Sequence, residues 1–138
     1  MQFAAYNIFC MYYREEAEMK NGSYGQLARL FRLLSHPVRL RILDELRRRE
    51  ACVCHLQAIL NRPQPYISQQ LRLLREGGVV EDDKDGLNVY YRLADQRVRR
   101  LLEDTLGPPG EPTHLPTCTC PNCLEAVAET GASCQLEK

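Results

Sequence analysis

Cys52-Val53-Cys54 and Cys118-Thr119-Cys120-Pro121-Asn122-Cys123 gather five of the chain's seven cysteines into two short clusters, with Cys10 and Cys134 apart from them. Thiolates bind soft cations and trivalent metalloids, and an odd number of cysteines cannot all pair within one chain. Ligation of a thiophilic ion is therefore the first chemistry to expect. A regular helix points residues two apart about 200° away from each other, so Cys52 and Cys54 share one ion only if the start of the following helix is unwound or extended. A helix start also favours the thiolate form. The C-x-C-x-x-C cluster, held open by Pro121, offers three sulfurs to one trigonal metalloid, or three of four to tetrahedral zinc or cadmium. The plainer readings are that Cys52 and Cys54 are small buried hydrophobes and that the tail thiols are idle. His55 and His114 read as surface histidines.

The elements that must position this chemistry follow from periodicity. Residues 1–23 read as an N-terminal extension, a loosely amphipathic helix interrupted by Asn21-Gly22-Ser23. Tyr24, Leu27, Leu30, Phe31 and Leu34 fall at helical spacing. Pro37 opens a second helix, since proline is accepted where an N–H has no helical partner. That helix is expected to run to about Arg49, burying Leu40, Leu43 and Leu46 and turning Arg39, Arg41 and Arg47 to Arg49 to water or phosphate. Val53, Leu56, Ile59 and Leu60 make a short third helix that Asn61-Arg62-Pro63 ends. A fourth restarts at Pro65 and stops at Gly77-Gly78. Two short helices joined by a tight polar turn form a helix-turn-helix pattern. After them, Val79-Val80 and Leu87 to Leu93 flank a polar tip, EDDKDG. Leu87, Val89 and Tyr91 alternate with Asn88, Tyr90 and Arg92 and Asp85-Gly86 supplies a turn, which reads as a two-stranded wing. Helical spacing resumes through Val98, Leu101 and Leu102. Gly107-Pro108-Pro109-Gly110 is expected to end the folded part, so residues 24–106 form the domain and 107–138 a Pro/Cys-rich tail. The fold class is mainly α with a small β-hairpin wing, a winged helix-turn-helix.

On a helical wheel of the fourth helix, Ile67, Leu71 and Leu74 share one face, Ser68, Gln69 and Arg72 the other, with Gln64 and Arg75 beside them. Hydroxyl, amide and guanidinium groups read base edges or anchor phosphates in a major groove. On an isolated helix such groups are ordinary solvated residues, but a turn before and a wing after them favour DNA. Charge agrees. The chain is neutral overall, yet residues 29–100 hold fifteen Lys/Arg against nine Asp/Glu, and a segregated basic segment is the footprint of a nucleic-acid binder. With 138 residues one domain with extensions is expected, and dimerisation would help bury apolar surface. No apolar run approaches the roughly 18 residues of a membrane span and no export signal is read at the start. The expectation is cytoplasmic, where thiols stay reduced. No nucleophile, base and acid share a catalytic spacing, so an enzyme is not expected.

The stretch from Leu34 to Leu93 resembles the ArsR/SmtB family of metal-sensing repressors. The likeness is carried by the L-S-x-P-x-R-L-x-I-L opening (Leu34 to Leu43), Cys52-Val53-Cys54-x-Leu56, Ile67-Ser68-x-x-Leu71-x-x-Leu74-Arg75 and the wing strand Gly86 to Leu93. The resemblance implies a homodimeric winged helix-turn-helix, its first and last helices forming the interface, that holds double-stranded operator DNA and releases it when metal binds. It places Gln64, Tyr66, Ser68, Gln69, Gln70, Arg72 and Arg75 at the DNA, with Arg62 and Lys84 at its edges. Gln70 stands where the family commonly has histidine. Acids Glu81, Asp82, Asp83 and Asp85 surround Lys84, which argues against close contact of the whole wing tip with phosphate.

Cys-Val-Cys resembles the arsenic-responsive branch, in which a third cysteine can follow three residues later; here that position is Gln57. The third sulfur then comes from Cys10, as N-terminal cysteines do in the cadmium- and lead-responsive branch, or from Cys118, Cys120 or Cys123, or is absent. The family's other site, on the last helix, is not supported, because Gln96 and Arg97 follow Asp95 where histidine is needed. The expected inducer is As(III), whose pyramidal geometry three sulfurs satisfy, with Cd(II), Pb(II) or Zn(II), or a thiol redox or persulfide switch, as alternatives.

Overall fold

A computed structural model of the chain describes residues 22–113. The N-terminal helix expected over residues 1–20, Cys10, His114 and the tail cysteines Cys118, Cys120, Cys123 and Cys134 lie outside the described residues. The chain divides into two compact units, Met1–Ser35 and His36–Lys138. In the first, α1 (Ser23–Leu34) carries the expected apolar face, of which Tyr24, Leu27 and Phe31 are exposed.

The second unit begins with α2 (Pro37–Leu46), opened by Pro37 in its first turn. A two-residue strand β1 (Ala51–Cys52) follows, then α3 (Val53–Leu60), α4 (Gln64–Glu76), β2 (Val80–Asp85), β3 (Asn88–Leu93) and α5 (Gln96–Leu106). Its core is Ile42, Leu43 and Leu46 of α2, Leu56 and Leu60 of α3, Ile67, Leu71 and Leu74 of α4, Val79 and Val80 at the entry to the wing, and Val98 and Leu102 of α5. Asn61 ends α3 in the left-handed region at φ 49°, a conformation asparagine tolerates better than most residues. The helix-turn-helix turn is residues 61–63.

Two glycines fix the path into the wing. Gly78 has φ 72°, and its N–H donates to the Arg75 carbonyl at 2.9 Å while the Val79 N–H donates to that of Leu74 at 3.0 Å. This paired pattern satisfies the last carbonyls of α4 and requires a left-handed residue at Gly78. At the far end the hairpin closes with Asp85 opposite Asn88, so the loop is Gly86-Leu87, and Gly86 supplies its positive φ of 61°.

Four sequence expectations are corrected here. The helix α2 stops at Leu46, and Arg47 is buried instead of facing water, donating to Asp44 at 2.7 Å and to the Gly107 carbonyl at 2.6 Å. The polar stretch Glu81 to Asp85 is strand β2, and the turn sits one residue later than Asp85-Gly86. Leu87 is fully exposed at the tip whereas Tyr90 and Leu93, on opposite faces of β3, are buried, and the inner half of β3 is also held on its other edge by β1. Gly107 to Gly110 does not end the folded part: Thr113 donates from its N–H and its hydroxyl to the two oxygens of Glu45, each at 3.4 Å.

Candidate functional site

The sheet order is β1-β3-β2, with Ala51 opposite Tyr91 and Cys52 opposite Tyr90. Cys52 is thus both a strand residue and the residue that precedes α3, with φ −84° and ψ 166°. Extended backbone at Cys52 removes the helical divergence between positions two apart. The Cys52 and Cys54 sulfurs converge to 2.7 Å. Cys52 is buried and Cys54 exposed. Cys54 borders an open cleft of about 620 Å³ walled by Gln57, Ala58, Asn61, Arg62 and Pro63, so an ion reaches one sulfur from solvent. This donor pair fits a soft thiophilic ion, and among the described residues no group of three or more Cys, His, Asp or Glu converges to complete a site. Gln57 stands on the cleft wall where the arsenic-responsive pattern has cysteine.

Beneath the pair lies a buried polar cluster that the sequence did not reveal. His55 is fully buried, a correction to its reading as a surface residue. It follows Cys54 but lies on the side of α3 that carries Leu56 and Leu60, and it is accommodated because Glu45 Oε1 is 3.4 Å from its Nε2 and Arg49 Nη2 is 3.3 Å from its Nδ1. Burial alone would raise the Glu45 carboxyl pKa, but the bonds with His55 and the Thr113 N–H, together with the Arg48 charge, hold it below the usual carboxylate value. Position 45, three residues after Ile42 on the buried face of α2, was a legible anomaly. Its partner Thr113 was not, since no short-range pattern joins residues 68 apart.

On α4, Gln64, Gln69, Arg72 and Arg75 are exposed, while Tyr66 and Ser68 are half-buried. Gln70 does not share their face. It is buried with Ile67, Leu71 and Leu74, and its carbonyl oxygen accepts from Arg39 Nε at 2.9 Å; it lies three residues after Ile67, which the wheel already implied. Arg72 is paired with Glu76 at 2.9 Å and Arg75 with Asp82 of the wing at 3.1 Å, both at the surface. Glu81 pairs with Arg92 at 2.9 Å. Two of the four wing acids are therefore partnered by arginine, and exposed pairs of this kind are weak enough to exchange for phosphate. Lys84 is exposed near the tip, opposite Val89, and Arg62 is exposed in the turn.

Asp95, the surviving member of the family's last-helix pattern, is occupied otherwise. Its carboxylate caps α5 by accepting from the Arg97 N–H at 2.8 Å and pairs with the Arg97 guanidinium at 2.7 Å. The bond from the Arg97 side chain, opposed by partial burial and helped by the backbone bond, lowers its pKa. A depressed carboxylate contributes stability that is present above the unfolded value and lost as pH falls through the folded one. Asp95→Ala is expected to cost about 1 kcal/mol near neutral pH. The difference from wild type should vanish well below pH ~4, as read from urea midpoints at both ends of the range.

A turn-linked helix pair whose second helix presents Gln69 and Arg72 to solvent, followed by a hairpin, defines a winged helix-turn-helix protein. The profile of the bacterial regulatory protein, arsR family, matches residues 36–82. The transcriptional repressor SmtB of Mycobacterium tuberculosis is 40% identical over 82 residues, 59% of this chain and 61% of that protein. The crystal structure of the transcriptional repressor BigR from Xylella fastidiosa superposes with a TM-score of 0.56 at 35% identity, covering 67% of this chain and 94% of that one. A homodimeric winged helix-turn-helix DNA-binding domain from Mycobacterium bovis, described as a possible ArsR-family transcriptional regulator, gives 0.58 at 32% identity, covering 63% and 81%. The chain belongs to the ArsR family of bacterial regulatory proteins. It spans about three fifths of the length of the SmtB repressor it matches. No helix among the described residues is long and apolar enough to cross a membrane.

Proposed function

We propose that the protein is a dimeric transcriptional repressor that binds operator DNA through α4 and releases it when a thiophilic ion, first of all As(III), binds the Cys52 and Cys54 thiolates. The observation that carries this reading is the convergence of those sulfurs to 2.7 Å at the junction of β1 and α3. One side of that junction is paired with wing strand β3, and the other is the first helix of the helix-turn-helix. An ion that fixes the Cys52–Cys54 geometry acts on both elements that frame α4. Two thiolates leave a trigonal metalloid one ligand short, and Cys10 or the tail cysteines supply it. Cd(II), Pb(II) or Zn(II) would use the same sulfurs.

Dimerisation is supported by apolar surface that a second copy would cover: Tyr24, Leu27 and Phe31 on α1 and, separately, a groove between α2 and α5 walled by Pro37, Leu40, Leu101, Leu102 and Leu106. The M. bovis relative is a homodimer. The cytoplasm is the compartment this reading requires.

Ser68, Gln69 and Arg72 are the proposed centre of the DNA contact, with Gln64, Tyr66, Arg75, Arg62 and Lys84 around them. In a Ser68→Ala/Arg72→Ala variant, affinity for duplexes selected from a random-sequence pool by the full chain should fall by about 10- to 100-fold, the value of one good polar base or phosphate contact. The slope of log affinity against log salt should shrink by about one if Arg72 meets phosphate. Fluorescence anisotropy at several salt concentrations reads both, and unchanged affinity would remove α4 from the interface. A disulfide switch is the second reading, because the same convergence places the two thiols for oxidation. DNA release by arsenite under a non-thiol reductant favours the ion, and release by oxidant alone favours the disulfide.

A further inference from the structure

The cleft beside Cys54 is one face of α3 together with the turn that follows it. Cys54, Gln57, Ala58 and Asn61 recur at the three- and four-residue steps that bring side chains onto a single helical stripe, and Arg62 and Pro63 close its far end. From Cys54 to Asn61 the stripe is roughly 10 Å long at the rise of an α-helix. Its volume of about 620 Å³ lies within the roughly 300–1,000 Å³ of small-molecule sites. The wall is apolar at Ala58 and Pro63 and polar at Gln57, Asn61 and Arg62. The closed end is fixed by backbone: Asn61 ends α3 in the left-handed region at φ 49°, and the Arg62 N–H donates to the Gln57 carbonyl at 3.4 Å. Of the two sulfur-bearing residues it is the exposed Cys54 that lines this space, and the sulfur of buried Cys52 is 2.7 Å from its own.

We propose that the thiol pair and this cleft together form a site for monosubstituted organic arsenicals, in which Cys52 and Cys54 hold the arsenic and the organic substituent lies along α3 toward Asn61, Arg62 and Pro63. This deepens the proposed function and rests on Cys52 and Cys54 being ligands. Trivalent arsenic makes three bonds, and in a compound R–As(OH)2 one of them is already to carbon. Two thiols complete the exchange: two As–O bonds break, two As–S bonds form, and the thiol protons leave with the hydroxides as two waters. The As–C bond and the oxidation state are unchanged. A pair of sulfurs is therefore a full ligand set for such a compound, whereas inorganic As(III) calls for a third sulfur. Because Cys54 lines the cleft, arsenic on its sulfur sets the substituent at one end of the stripe. A planar aryl group fits against Ala58 and Pro63, and a polar or anionic group on that ring meets Arg62. Arg62 is also at the proposed edge of the DNA contact, so an occupied cleft competes with phosphate for its guanidinium.

The test uses the full chain under a non-thiol reductant, with phenylarsonous acid as probe and inorganic arsenite beside it. Alkylation of the remaining thiols followed by peptide mass spectrometry reads which cysteines each compound protects, and competition with a small dithiol reads affinity. One equivalent of phenylarsonous acid should protect Cys52 and Cys54 and no third cysteine. Ala58→Leu adds bulk to the middle of the stripe at an exposed position and, leucine being a good helix former, should keep the thermal midpoint. It should lower the affinity for phenylarsonous acid relative to that for arsenite by about tenfold, the lower end of what misfitted carbon costs in a pocket. A ratio that does not fall, or protection of a different pair of cysteines by the aryl compound, overturns the assignment. Arsenite that protects Cys52 and Cys54 where the aryl compound does not would remove this inference alone. If neither compound protects them, the underlying reading of the thiol pair is what fails.

Discussion

In a Cys52→Ser chain, arsenite is expected to leave DNA affinity where it was, whereas the same arsenite should lower wild-type affinity by about 10²-fold, within the 5- to 150-fold range of a coupling energy of roughly 1–3 kcal/mol. The substitution is informative because it should not disturb the fold. Cys52 is buried with its backbone paired to Tyr90, and serine is smaller by little and keeps that ladder. Cys52 also occupies the N-cap of α3, where no side chain currently caps the helix, and serine is a favoured residue there. Apo affinity for DNA is therefore expected to equal or slightly exceed that of the wild type. Cys54→Ser should behave alike, since its sulfur is the solvent-facing half of the pair. Anisotropy titrations of labelled duplex with and without arsenite measure both quantities. A Cys52→Ser chain that still releases DNA would place the response elsewhere.

Leu71→Ala is expected to destabilise the protein by about 2–5 kcal/mol, the range for truncating a fully buried leucine. Leu71 is completely buried at the middle of α4 between Ile67 and Leu74, and it is the packing of this stripe that holds Gln69 and Arg72 outward. Set against a typical total of roughly 5–15 kcal/mol, the loss is large enough to cost DNA binding through unfolding alone. Gln69→Ala on the exposed side should stay within about 0.5 kcal/mol. Urea denaturation of the two variants separates them. A cost below about 1 kcal/mol for Leu71→Ala would mean that α4 is not seated as described.

The sequence made the local elements legible and the long-range ones obscure. Ile67, Leu71 and Leu74 recur at the helical period, so the buried side of α4 could be read directly, and Gln70 falls on that side by the same arithmetic. Pro37, Asn61 and Gly78 mark helix ends because their backbone preferences are local. The wing was harder. Five consecutive charged residues, Glu81 to Asp85, carry no alternation, yet they form β2 because β3 offers a ladder partner and Arg75 and Arg92 offset two of the acids. Strand β1 is two residues long and has no sequence signature at all. Its existence is what holds the Cys52 backbone extended instead of helical, so the one condition on which the thiol pair depended could be stated from sequence but not decided. The Glu45–His55–Thr113 cluster was invisible for the same reason: its members are brought together by tertiary packing.

Coupling between the thiol pair and α4 is the central claim, and reciprocity tests it most directly. If arsenite weakens DNA binding, bound DNA must weaken arsenite binding by the same factor. Arsenite affinity of the full chain, measured under a non-thiol reductant with and without a saturating selected duplex, should differ by about 10²-fold, matching the loss of DNA affinity. Equal arsenite affinities in the two states would contradict the account.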